Sequence, residues 1–277
     1  MNIKKELLKT RRNSIQLEIG GNADFKTGST HFGGTPDVPE NFRWPYYISE
    51  NSGKSNPLSF IAQFDLEELS RYDSDNMLPK TGLLSFFYDF DSMTRGLDPN
   101  DKGSAAVYYF ENKNNLKTAE LPKDLKPPFR LPSLKITASS VMSYQSYEDF
   151  LLQREKLIEN WDEFESAQKS IGIDEPQNIS KLLGWANPIQ ENMTRACELV
   201  SRGYYLGDGW DHVTPLDKQE AEQWSGNDWL PLFQLDNAAD SDFKLVSASF
   251  GRIYYYIRRD DLTARNFDNV WLIMQNY

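Results

Sequence analysis

The chain has 277 residues, is 39% hydrophobic, 13% aromatic and 26% charged, and carries a formal net charge of −11. That is the composition of a folded globule rather than of a disordered or fibrous chain, and its length suits one large domain or two fused halves. No apolar run approaches the roughly 20 residues of a membrane span, and no Lys/Arg block exceeds a dipeptide, which argues against membrane and nucleic-acid partners.

The single cysteine, Cys197, excludes an intramolecular disulfide and a multi-cysteine zinc site. Residues 1–12 mix charge with leucine and offer no apolar signal region, so the expected compartment is the reducing cytoplasm. Residues 3–10 read as a short amphipathic helix, and 14–19 alternate like a strand that stops at Gly20-Gly21. Residues 31–45 hold three prolines and two glycines and must form a structured loop, since Phe32, Val38, Phe42 and Trp44 are too apolar to leave in water. A buried strand is expected over 60–64, with Asp65 capping a short helix and Glu68 three residues on.

Residues 83–90 and 104–110 read as neighbouring strands, joined by the Asp-rich stretch 91–101. The proline-rich stretch 116–132 reads as a surface traverse, and 134–138 as a weak strand. Over 146–170 an apolar stripe (Tyr147, Phe150, Leu151, Leu157, Ile158, Trp161, Phe164) predicts a long helix, opened by Ser146-x-x-Asp149 and closed by Gly172. Further helices are expected over 193–201 and from Thr214-Pro215, and a last strand over 269–275. Strands dominate, and several connections are too short for a crossover helix. The expected class is therefore α+β with mainly antiparallel sheet.

One pattern occurs twice. An apolar run closes on Gln63-Phe64-Asp65 and is followed by Gly82 and an aromatic run to Tyr88; another closes on Gln234-Leu235-Asp236 and is followed by Gly251 and an aromatic run to Ile257. A divergent internal duplication is the simplest reading. It predicts one domain over 1–277, built of two repeats (about 14–112 and 178–277) packed as similar sheets about a pseudo-twofold axis. The proline-rich segment and the helix at 146–170 would join them.

Catalytic chemistry has few candidates. His31 and His212 are far apart, Cys197 reads as a small buried thiol, and no nucleophile elbow, phosphate loop or His-Glu-x-x-His motif occurs. The loop 98–103 fails as a calcium site because Lys102 stands where an oxygen ligand is required. The clusters Asp73/Asp75, Asp89/Asp91 and Asp236/Asp240/Asp242 read as turn aspartates before they read as ligands. No metal and no cofactor is expected. Asp65 and Asp236 form an acid/base pair only if the fold brings them face to face. Gln63 and Gln234, near the ends of apolar strands, need hydrogen-bond partners, either backbone or ligand. The segment with Asp208, Trp210 and Asp211 sets one large ring among glycines and acids, the composition of a binding loop.

The ordered motifs 32–39 with Trp44-Pro45, 57–65, 78–88, Leu182-Leu183-Gly184, Pro188-Ile189-Gln190, Gln234-Leu235-Asp236 and Gly251-Arg252-Ile253-Tyr254 resemble the YwqG-like family, a bacterial domain of unknown function. The likeness spans essentially the whole chain. It departs at 246–250, where relatives carry a Trp-Gly-Asp-like run, and before Leu182, where they carry a histidine. The resemblance brings no reaction and no catalytic residues, but it implies an immunity-type role beside toxin systems. The resulting expectation is a non-enzymatic protein that binds a basic, toxin-like partner through an acidic face, with Trp44, Gln63, Asp65, Asp208, Trp210, Asp211, Gln234 and Asp236 as candidate binding residues. The alternative is a hydrolase or small-ligand enzyme with a carboxylate-lined cleft between the repeats.

Overall fold

The computed structural model describes residues 2–22, 24–49, 53–154, 161–173, 179–236 and 251–276. Helix α1 (Ile3–Lys9) leads into β1 (Arg12–Asn22), followed by β2 (His31–Phe32), β3 (Asp37–Val38), β4 (Tyr46–Ile48), β5 (Ser55–Pro57) and β6 (Ser59–Asp65). Then come α2 (Leu66–Leu69), β7 (Leu83–Tyr88), β8 (Ala105–Phe110), β9 (Lys117–Thr118) and β10 (Leu134–Ser143). The rest comprises α3 (Tyr147–Arg154), α4 (Trp161–Ser170), β11 (Lys181–Leu183), α5 (Thr194–Ser201), α6 (Pro215–Asp228), β12 (Trp229–Asp236), β13 (Arg252–Arg258), α7 (Arg259–Thr263) and β14 (Trp271–Gln275).

Ten strands form one antiparallel sheet in the order β14-β13-β12-β11-β1-β10-β2-β6-β7-β8. Its centre is the long β1–β10 ladder, from Arg12 opposite Ser143 to Ile19 opposite Ile136. The expected pair of separate sheets is thus one continuous sheet, because this ladder joins both flanks. β10 is also longer than the weak strand read over 134–138. Its second half is solvent-facing and rich in serine, with Val141 and Met142 exposed, so no alternation marks it in the sequence.

The sheet curls until its flanks meet, giving a nearly closed barrel. Phe233 on β12 lies against Phe64 on β6 (ring centroids 5.4 Å apart) and Phe86 on β7 (4.8 Å), and Tyr255 on β13 packs on Phe86 (5.1 Å). The Tyr255 hydroxyl donates to the Phe87 carbonyl at 3.0 Å. These rings join Ile15, Leu17, Phe32 and Leu182 in the barrel core. The outer faces are also covered. Helices α5 and α6 bury Trp229, Tyr254 and Tyr256, while Phe42 and Trp44 from the turn-rich loop pack over Phe60 and Phe87. Buried on both sides, β7 and β12 read as apolar runs interrupted only by Ser85 in β7 and by Gln234 and the terminal Asp236 in β12.

The helices begin as the sequence predicts. Ser146 Oγ accepts from the Asp149 amide ahead of α3, and Thr214 Oγ1 accepts from the Asp217 amide ahead of α6. α3 and α4 cover the two ends of the predicted helix over 146–170, and residues 155–160 between them lie outside the described residues.

Candidate functional site

Gln63 and Gln234 are fully buried and bound to backbone. Gln63 Oε1 accepts from the Asp37 amide at 2.8 Å, while its Nε2 donates to Ser29 O at 2.9 Å and to Asp37 Oδ2 at 2.7 Å. Gln234 makes a like set: Oε1 accepts from the Asn187 amide at 2.9 Å and Nε2 donates to Ile179 O at 2.6 Å. Each amide staples the loop beside a short strand to the sheet. Gln63→Leu or Gln234→Leu is therefore expected to destabilise by about 1–3 kcal/mol, since buried backbone groups lose their partners. A urea unfolding midpoint unchanged in both variants contradicts this.

Asp65 caps α2 by accepting from the Glu67 amide, and its Oδ1 lies 2.6 Å from Lys113 Nζ. Asp236 is buried and pairs with Arg252 at 3.3 Å. The topology keeps the two carboxylates apart. Five successive antiparallel pairings (β6–β2, β2–β10, β10–β1, β1–β11, β11–β12) separate their strands, so β6 and β12 run in opposite directions. Both aspartates end their strands and so lie at opposite ends of the barrel. An acid/base pair built on them has no geometric basis.

The aspartates of the 91–101 stretch hold their own turns. Asp98 Oδ1 accepts from the Asn100 amide and Asp101 Oδ2 from the Gly96 amide, both within 2.9 Å. Asp73 binds the Met77 and Leu78 amides. Among the described residues no group of three or more His, Cys, Asp or Glu is arranged to hold a metal ion; Asp240 and Asp242 lie outside them. His31 is buried against Phe25, its ring nitrogen 3.0 Å from Gly33 O, and burial lowers its pKa. Cys197 is buried, and burial raises its thiol pKa well above the ordinary value. That is the setting of an inert thiol.

Trp44 is half-buried, donates Nε1 to Leu58 O at 2.9 Å and packs on Phe42 and Phe87. Trp210 is also half-buried. Its ring lies under the Arg195 guanidinium at 4.6 Å and against the α5–α6 core, while Asp208 and Asp211 are exposed. The freely exposed aromatic here is Tyr205, 44% accessible. Tyr205 and Gly207 border an open cleft of about 840 Å³ whose other walls carry Tyr47, Arg95, Asp98 and Asp101. The Leu206 amide donates to Leu97 O at 2.7 Å and fixes this loop to the Asp-rich one. Burial raises the Asp101 carboxyl pKa.

A second cleft opens at the barrel end where β1 starts and β12 starts. Its floor is apolar, made by Met77, Leu183 and Leu230, and its rim carries Arg12, Arg259 and Asp75. These are not among the residues singled out from the sequence. The one signal is that both Arg-Arg dipeptides of the chain, 11–12 and 258–259, send an arginine to this mouth.

Among the described residues no helix is long and apolar enough to cross a membrane. The family model for a domain of unknown function (DUF1963) matches residues 30–275. No curated protein matches the sequence.

Proposed function

The chain belongs to the family described as a domain of unknown function (DUF1963), and from that premise, which carries no reaction, we propose a non-enzymatic protein-binding module of immunity or regulatory type. The YwqG-like motifs are our finer placement within that family. The partner is a basic protein, and the surface that receives it is the acidic cleft bordered by Tyr205, Asp98 and Asp101, with the exposed Asp208 and Asp211 close by in sequence. The observation that carries this reading is an exposed aromatic ring at the edge of a cleft bearing two aspartates against one arginine, Arg95, in a chain of net charge −11. Trp210, already stacked under Arg195, supports the loop, and Tyr205 supplies the anchoring ring.

We read the framework as two divergent copies. The support is positional. Gln63 and Gln234 lie on the strands third from the paired edge on each flank, make matching amide bonds, and follow register shifts at Phe60/Ala62 and Pro231/Phe233. Asp65 N bonds Thr30 Oγ1 as Asp236 N bonds Ser180 Oγ.

The test is capture of partners from host lysate on the immobilised chain, beside an Asp98→Asn/Asp101→Asn/Tyr205→Ala variant. Basic proteins retained at low salt by the parent chain should be lost by the variant. They should also elute as ionic strength rises past about 0.1 M, where the Debye length falls to roughly 10 Å. Retention that ignores both salt and the substitutions overturns the reading.

A further inference from the structure

The long central ladder leaves one side of β10 open. β2 meets β10 at Leu134 and Lys135, and beyond them the strand pairs with β1 alone. The direction of the remaining backbone groups follows from β1. The Leu17 amide donates to Ser180 O at 2.9 Å on the β11 side, so odd-numbered residues of β1 turn their backbone groups to β11 and even-numbered ones to β10. Thr137, Ser139, Val141 and Ser143, opposite Glu18, Gln16, Ser14 and Arg12, are therefore the residues bonded to β1. Ala138, Ser140 and Met142 turn N–H and C=O the other way. Among the described residues no backbone or side-chain group bonds them there. Ser139 and Ser140 are exposed, and Val141 and Met142 are 38% and 45% accessible.

Unpaired edges invite a further strand, and folded proteins blunt them with charge, proline, bulges or brevity. The β14 end of the sheet is closed in another way. Arg95 O accepts from the Met274 amide at 3.1 Å and Gly96 O from Trp271 Nε1 at 2.9 Å, so a loop lies along that strand. β10 has none of these guards over 136–143. It holds no charge and no proline there, and its register with β1 runs unbroken from Arg12 opposite Ser143 to Ile19 opposite Ile136.

The edge is also uncharged. Residues 136–147 carry no charge and form the longest uncharged run of a chain in which 26% of residues are charged. The nearest charges flank this run or stand behind it. Lys135 and Glu148 bound it, and Arg12 and Glu18 lie on β1, one strand spacing of about 4.8 Å further back. Asp75 is on the far side of β1, where it accepts from the Asn13 amide at 2.7 Å, and Asp149 is buried in the first turn of α3. Two copies of a chain with net charge −11 repel each other through their net field, and this stretch lets them meet without setting like charges in contact.

We propose that this edge pairs with the same edge of a second copy of the chain, antiparallel across a twofold axis at Ser140, so that one sheet runs through the dimer. An antiparallel strand is its own complement, and a twofold contact uses the same surface on both partners. With Ser140 opposite Ser140, Ala138 lies opposite Met142, and each such pair of outward residues exchanges two N–H···O bonds. Met142 of each copy then covers Ala138 of the other and leaves water. Lys135 falls beyond the paired residues, away from its own counterpart. A basic partner gains nothing from an uncharged edge, so the occupant is distinct from that of the acidic cleft, and the proposal is independent of it. A ladder this short is a small interface, below the roughly 1,200 Å² of stable complexes, so the dimer should form on the order of 100 μM rather than at nanomolar concentration.

Sedimentation equilibrium of the full chain tests this. The parent should shift with concentration from 32.0 kDa to twice that mass. Ser140→Lys and Ser140→Asp each set like charges opposite one another across the axis and should each weaken dimerisation at least tenfold. An equimolar mixture of the two should dimerise again. Both lose the bond from Asn13 Nδ2 to Ser140 Oγ, so a merely structural effect of that loss is not reversed by mixing. Val141→Lys, at a side chain already in water, should also weaken the dimer and keeps the test valid should the Ser140 variants fail to fold. Leu216→Lys, an exposed apolar residue on α6, should change nothing. A parent that stays monomeric up to about 1 mM (roughly −4 kcal/mol), a dimer indifferent to Val141→Lys, or a Lys/Asp mixture that stays monomeric overturns the proposal. A monomeric parent that binds a different protein through this edge, with binding lost on Val141→Lys, overturns the second copy as the occupant.

Discussion

Phe233→Ala is expected to lower the unfolding free energy by about 3–5 kcal/mol, the range for deleting a large aromatic from a packed core. Phe233 is 1% exposed and touches Phe64, Phe86 and Tyr255, so it bridges the two flanks of the curled sheet. Its loss leaves a cavity lined by rings from both flanks, and rigid aromatics on stiff strands cannot collapse into it. The neighbouring change Tyr255→Phe keeps the ring and removes only the hydroxyl that donates to Phe87 O. That carbonyl then loses a buried donor, at a cost of about 1–2 kcal/mol. Urea unfolding of the two variants should rank them in that order. A Phe233→Ala curve that overlays the parent would mean that the flanks do not meet through this ring, and that the barrel is held chiefly by its central ladder.

The sequence made the elements legible because the apolar periods are clean. Alternation in β1, predominantly apolar runs in β6, β7 and β12, and cap residues Asp65, Ser146 and Thr214 all have local physical causes, and each is found where its pattern points. The continuity of the sheet was not legible. It depends on the β1–β10 ladder, which joins segments more than a hundred residues apart and whose second strand ends in exposed Val141 and Met142. No local pattern encodes such a pairing.

The site residues divide along the same line. Polar groups in apolar strands flagged Gln63 and Gln234 correctly as buried amides needing partners, because that requirement is local. Asp65 and Asp236 looked like a pair because they share a motif. Strand direction, a global property, sends them to opposite ends of the barrel. The Arg12–Arg259 mouth was missed for the converse reason: its two arginines lie at distant sequence positions, and each alone looks like an ordinary surface charge.

Stability should fall as pH rises from about 4 to 6, and one buried carboxyl, Asp149, is expected to account for about 3 kcal/mol of that fall. In the first turn of α3, burial pushes its pKa from 3.8 up to about 6, against the hydrogen bonds from Asn192 and Ser146 and the attraction of Arg12, while Glu148 adds to the rise. Between those two values the folded protein keeps a proton that the unfolded chain has released. The native state is then favoured most below the unfolded value, and the advantage is lost as pH climbs through the folded one. Above about 6 the carboxylate is ionised in both states and its contribution is flat. Two pKa units at 1.36 kcal/mol each give the magnitude of about 3 kcal/mol.

Asp149→Asn removes the titration. The amide oxygen still accepts from Asn192 and Ser146 still caps the helix, so the variant should match the parent near pH 4 and exceed it at pH 7. Loss of a negative charge at a helix N-terminus offsets about 0.3–1 kcal/mol of that gain. Urea unfolding at the two pH values decides the matter. Parallel pH profiles for parent and variant would show that Asp149 is ionised and well paired in the folded chain.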